Sequence, residues 1–428
     1  MGKTFIRRAR VQVRTHSRRG GGVLGTVALL VVTAIAMAPT PDASAATTRD
    51  VLLVGNSVGG TVSILDGRTF ANLGHVNVIP DLQQRLAVIN SNPVTAIGYA
   101  VATDHQKLKH FEPAGGIRYV DDVFLSPDGT KLYVSRSNLA DVVAFDMTKS
   151  THPMLWEFIV SGFHADHATL SPDGSKIVVS ATTQDIAQVI DANTGKQVAQ
   201  FATGHYPHQN DYSANGKHIY NGSIGDVGLP SLLNAFKGTR QLEVVDAATF
   251  KVIKSYPFTY GVRPTVITPD EKTAYIQLSY LNGLIKFDLT TGKTVQTLNE
   301  PMSAFAKANF PSQDDYYHDS AHHGLALSGD GTKLCDAGTI DNTVSIVSLG
   351  FVMSVQKTVN VGMIPYWSTT SVDGNYCFVS LSGANQIVVI NYATGAQVAT
   401  VPVGSFPQRN RLAKIPDTEL RLLTPGNG

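Results

Sequence analysis

The sequence predicts an all-β chain, a seven-bladed β-propeller of four-stranded antiparallel blades, and three observations carry that prediction. One turn, clearest as Leu-Ser-Pro-Asp-Gly at Leu125–Gly129 and Leu170–Gly174, recurs along the chain. Short β-rich runs such as Lys-Leu-Tyr-Val-Ser and Val-Val-Ala-Phe-Asp fill the intervals, and the unit repeats at about 42 residues, the period of a four-stranded blade. The two ends are complementary: Asp50 to Val78 reads as the last three strands of a unit, and Val403 to Ile415 as a first strand with no successors. Pairing them closes a ring and removes the exposed sheet edges of an open array.

Taken in order, the first 45 residues read as a secretory signal peptide that is removed. A basic segment from Lys3 to Arg19 precedes an apolar run from Val23 to Ala38, and Ala43-Ser44-Ala45 supplies the small residues of a cleavage site. The propeller domain is expected over residues 46–415, followed by a C-terminal tail, 416–428. Those 45 residues hold seven of the 34 Lys and Arg and one of the 33 Asp and Glu, so 27 basic and 32 acidic residues remain, a net charge of −5. No basic tract favours nucleic acid, and no second apolar span favours a membrane. The expected product is a secreted or periplasmic monomer acting on a small molecule.

From Asp50 onward no segment reads as a long, capped helix. Six unit starts align on the turn glycine or its equivalent, at Gly129, Gly174, Gly216, Glu271, Gly331 and Gly374; the split unit is the seventh. In the repeated turn, Asp128, Asp173, Asp270, Asp330 and Asp373 read as structural, accepting backbone N–H groups. Three blocks exceed the repeat: Ile79 to Gly116, Gly222 to Arg240, and Pro301 to Tyr317. Their connections all emerge on the face where first strands begin.

The repeats Y-V-S-R-S-N-L-A-D-V-V-A-F-D, S-P-D-G-S-K-I-V-V-S and V-S-L-S-G-A-N-Q-I-V-V-I-N-Y-A-T-G resemble the YVTN repeats of secreted seven-bladed propellers, the YncE-like group. The resemblance covers most of Asp50 to Ile415 and implies architecture, with a non-catalytic ligand- or partner-binding role as one functional expectation. Because this scaffold also serves lactonases, lyases and redox proteins, fold alone does not assign chemistry.

Chemistry is carried by histidines. His208 and His323 fall eight residues before their turn glycines, as does Asp166; His167 and His322 fall one residue to either side. The starts of the first strands therefore carry Asp121-Asp122, Asp166-His167, His208-Gln209, Arg263-Pro264, His322-His323, Tyr366-Trp367 and Gln408-Arg409. First strands line the central channel of a propeller, so these doublets converge on the axis. Imidazoles with nearby carboxylates suit copper or zinc, copper favoured. The expected metal ligands are His167, His208, His322 and His323, with Asp122, Asp166 and Tyr366 as catalytic groups and Arg118, Arg263, Trp367 and Arg409 as substrate-binding groups. His164 and His205 read as solvated loop residues, and His75, His152 and His218 as surface.

The leading expectation is a copper-dependent oxidoreductase; the alternatives are a binding propeller and a metal-assisted lyase or lactonase. No G-x-S-x-G, Walker, dinucleotide or C-x-x-C-H motif is present. Cys335 and Cys377, at nearly equivalent places in successive units, fit a disulfide between neighbouring blades, buried free thiols, or metal ligation.

Overall fold

The computed structural model describes residues 47–108 and 117–428; the signal peptide expected at residues 1–45 lies outside the described residues. Seven four-stranded antiparallel sheets are formed. Blade 1 closes the ring: the C-terminal strand Pro407–Pro416 pairs with Thr48–Asn56 in the register Val51 to Ala413 and Leu53 to Arg411. Blades 2 to 7 follow in chain order, with first strands at Val123–Leu125, Ala165–Leu170, Pro207–Tyr212, Val262–Ile267, Leu325–Leu327 and Pro365–Thr370.

Alternation within each strand sends apolar side chains into the gaps between blades. Val51, Leu53, Val62 and Ile64 of blade 1 pack with Val123, Leu132, Val134 and Val143 of blade 2; each such buried side chain contributes roughly 1.5–3 kcal/mol. The turn aspartates tie down the hairpins between the first and second strands. Asp173 accepts from Ser171 Oγ at 2.6 Å and Ser175 N–H at 3.0 Å, and the same pair of bonds recurs at Asp128, Asp330 and Asp373. Neighbouring turns press together so closely that a Cβ on Gly329 would lie 2.5 Å from Gly374 Cα. Cys335 and Cys377 form a disulfide that joins the second strands of blades 6 and 7. After Pro416 the chain makes one helical turn, buries Leu423 in the blade 1 core and exchanges two backbone hydrogen bonds between Thr424 and His75.

The first insertion is a helical hairpin, α1 (Leu82–Ser91) and α2 (Pro93–Leu108), contrary to the expectation that no sizeable helix occurs. The two helices differ at their starts: Asn92 Oδ1 accepts from Val94 N–H at 2.9 Å at the head of α2, whereas α1 has no side-chain cap. Asp81, at the N-cap, makes no side-chain cap bond; its carboxylate instead takes two hydrogen bonds, of 2.6 and 3.0 Å, from the fully buried Arg136. Arg85 of α1 donates to Leu139 O at 2.6 Å and lies 3.1 Å from Asp141, so two arginines nail the hairpin to blade 2. Gly98 of α2 meets the Phe163 ring, which a Cβ would overlap at 2.2 Å. The second insertion contains a 3-10 segment, Ser231–Phe236, and the third a short helix, Ala304–Asn309.

Candidate functional site

Ladder pairing breaks at the doublets. In blade 3 the first strand pairs at Ala165 and again at Ala168, leaving Asp166 and His167 unpaired. Blade 4 breaks between Pro207 and Asn210, blade 5 between Val262 and Thr265, and blade 7 between Pro365 and Trp367. Such bulges re-aim side chains, so both members of a doublet can serve the axis at different depths. Just behind them, Asn210 Nδ2 reaches Ser180 Oγ at 2.8 Å and His167 O at 3.0 Å, and Asn410 repeats the bond to Ser380 Oγ at 2.8 Å.

His167, His208 and His323 meet on the axis. One ligating nitrogen from each lies within 4.8 Å of the others, and all three rings are buried. His208 Nε2 and His323 Nε2 are 3.4 Å apart, and the rings of His167 and His208 are centred 4.1 Å apart. Burial pushes all three well below the ordinary histidine pKa, assisted by Arg409 beside His167 and His323 and by the neighbouring imidazole beside His208. The rings are therefore neutral at pH 7. His323 Nδ1 donates to Tyr366 O at 3.1 Å, which leaves its Nε2 lone pair facing His208. An arginine can only donate, so His167 Nδ1 accepts from Arg409 Nε at 3.2 Å.

A pocket of about 630 Å³ opens beside this cluster, walled by α2, Phe163, Ile224 and Asp226 and reaching the buried Asp121, Asp166, His208, Arg263, Tyr366 and Arg409. The first two insertions contribute, and His318, one residue past the third, joins the lining. Arg263 donates to Ser279 Oγ at 3.0 Å and to His318 O. Lys237 of the second insertion pairs with Asp319 at 2.7 Å, and Ser231 N–H donates to Asp314 at 2.5 Å, tying the second and third insertions together. Arg118 stacks its guanidinium 3.5 Å over the Phe406 ring. Burial raises the Asp121 carboxyl to about 8 and raises Asp166 as well, with Arg409 opposing both. His164 joins them, a ligating atom of each lying within 4.8 Å of the others.

The expected site residues divide into three groups. His167, His208 and His323 come together, while Asp166, Arg118, Arg263, Arg409 and Tyr366 line the pocket. His322 does not join the trio. Its neighbour His323 turns to the axis, and His322 turns between blades, where Nδ1 bonds Asp336 at 2.7 Å beside Glu300. Burial opposes charge on His322, but Asp336 and Glu300 outweigh it and hold the pKa up at about 9. Asp122 and Trp367 lie beneath the pocket. Asp122 takes two 2.8 Å bonds from Arg411, whose guanidinium also stacks 4.9 Å from the Trp367 ring.

Three functional groups escaped the sequence reading. Asp121, not Asp122, faces the pocket; His164, read as solvated, is half-buried in its wall; and Arg411, two residues from Arg409 on one strand, braces the floor. His152, read as surface, is buried.

No protein-family model and no curated protein matches the chain. Solved structures do. A Kuenenia stuttgartiensis hydrazine synthase structure aligns with a TM-score of 0.57 at 18% identity over 80% of this chain and 92% of that one. A Bacteroides fragilis protein assigned provisionally as a 6-phosphogluconolactonase aligns with a TM-score of 0.58 at 15% identity over 87% of this chain and 99% of that one. At such identities the likeness is one of fold, and it places this chain among the β-propellers.

Proposed function

We propose that the pocket is the active site of a metal-dependent enzyme acting on a small anionic molecule, with copper the favoured metal and oxidation the favoured chemistry. One observation carries the reading: three imidazoles from blades 3, 4 and 6, all held neutral, converge within 4.8 Å beside an arginine-lined pocket. The donor set fits a borderline transition metal. His323 Nε2 carries a lone pair but faces His208 Nε2 at 3.4 Å, and His208 Nδ1 and His167 Nε2 have no hydrogen-bond partner. Arg409 occupies His167 Nδ1, so His167 would serve through a turned ring or after Arg409 shifts. Bound there, a metal would supply a redox centre or a Lewis acid. Arg263 and Arg409 would orient the anion, and the Asp121–Asp166 pair would hold a proton at the pocket.

The two carboxyls within 4.8 Å of His164 favour a second reading, a metal-assisted lyase or lactonase using general acid–base catalysis. The disulfide suits an oxidising compartment, and with the likeness to secreted YVTN propellers it supports export. The test is metal analysis and paramagnetic resonance on reconstituted protein. Near-stoichiometric copper, lost in His208→Ala and His323→Ala, is the expected result. Activity supported by Mn²⁺ without a copper signal selects the second reading, and no retained transition metal refutes both.

A further inference from the structure

The pocket has two chemically distinct ends. At the buried end lie Arg263 and Arg409; Arg409 is 2% exposed, engages Asp121 and His167 through Nε, and has no hydrogen-bond partner at Nη1. At the open end, α2 presents Val94, Ile97 and Val101, spaced i, i+3 and i+7 on one stripe, each 64% exposed and each lining the pocket. Gly98 and Ala102 complete that wall, so among its described side chains, Pro93 to Thr103, α2 turns no polar one toward the cavity. The hairpin is no loose appendage, because Arg85 and the Gly98–Phe163 contact hold it in place. An apolar stripe left open on a firmly anchored helix marks a binding surface, and here it is continuous with a cationic floor.

We infer that the ligand of this pocket is an amphiphilic monocarboxylic acid, its carboxylate on Arg263 and Arg409 and its hydrocarbon body along Val94, Ile97 and Val101. The inference rests on the reading that this pocket is the ligand site and names the class of molecule it takes. A sugar or other polyol would lie against the apolar side chains of Val94, Ile97 and Val101, which offer it no hydrogen bond. A dianion would bring a second negative charge beside the carboxyl groups of Asp121, Asp166 and Asp226. A single carboxylate with an apolar body fits both ends, and about 630 Å³ lies within the ordinary range for small-molecule pockets.

The experiment is calorimetric titration of the purified protein with butanoate, hexanoate, octanoate and decanoate, with the matching primary alcohols as controls. Burial of each methylene against α2 predicts a Kd that falls about three- to fourfold per added carbon, with the alcohols far weaker. The double variant Ile97→Asn, Val101→Asn changes only exposed positions and should flatten that dependence. Affinity independent of chain length, an unchanged slope in the variant, or alcohols binding as well as acids would overturn the inference. Metal content measured on the same samples separates the two readings. Absent metal with the slope intact refutes only the metal proposal, and bound metal with a flat slope refutes only the amphiphile.

Discussion

The pair beneath the pocket is the sharpest test of how the axis is built. Asp122 is fully buried and takes two 2.8 Å bonds from Arg411, whose side chain is 18% exposed. At an effective dielectric near 20, charges about 4 Å apart attract by roughly 4 kcal/mol. Arg411→Met strips the buried carboxylate of its counter-charge and should cost about 3–5 kcal/mol. Asp122→Asn should cost less, because the guanidinium keeps some water and its stacking on Trp367 and Phe124. The double variant should return to within about 1 kcal/mol of the parent, since a matched neutral pair leaves no buried charge. Urea unfolding of the four proteins should give a coupling of at least about 2 kcal/mol. A coupling under about 0.5 kcal/mol, the usual limit of additivity for independent sites, would show that the pair is not what neutralises Asp122.

Other outcomes follow from the same geometry. The Cys335–Cys377 disulfide closes a 42-residue loop, so replacing both cysteines by alanine should cost about 4 kcal/mol by chain entropy, read as a lower urea midpoint; an unchanged midpoint would show that the bridge constrains nothing. Glu243 is 3% exposed, accepts from Gln241 at 2.6 Å and leaves Oε2 without a partner, and burial pushes its pKa from 4.5 up to about 7. The fold favours its neutral form, so stability is full below about pH 4.5 and declines as pH rises to about 7. Glu243→Gln should match the parent at about pH 4 and exceed it by on the order of 3 kcal/mol at about pH 8; a pH-independent difference would rule out this cause.

The blades were legible because each carries its own punctuation. The Ser-x-Asp turn is a local hydrogen-bonding device, and a two-residue side-chain period marks strands whatever their partners. Ring closure was equally legible, since Thr48–Asn56 lacks an inner neighbour and Pro407–Pro416 lacks outer ones. The helical hairpin was not, because α1 buries only Arg85 and Ile89 and α2 leaves Val94, Ile97 and Val101 exposed, so neither helix carries an apolar stripe turned to the core. Spacing from the turn glycine brought His167, His208 and His323 to one level. It could not tell that His322 turns to Asp336, since adjacent residues diverge and spacing alone does not say which takes the axis.

The doublets explain why one-residue precision failed where convergence succeeded. An undisturbed strand would send one member of each pair toward the axis and the other into the blade interface. The bulges in blades 3, 4, 5 and 7 instead divide the pairs by depth. Asp121, Asp166, Arg263, Tyr366 and Arg409 reach the pocket, whereas Asp122, His167 and Trp367 sit behind or beneath it. His208 belongs to both tiers, lining the cavity while packing on His167 and His323. A ligand in the pocket can therefore meet the imidazole cluster through His208, while Arg409 couples the tiers by contacting Asp121 above and His167 below. One tier is acidic and basic and faces the pocket; the other is a sheltered set of neutral imidazoles. A channel lined by seven equivalent strands acquires that vertical order because its first strands break their ladders where the chemistry sits.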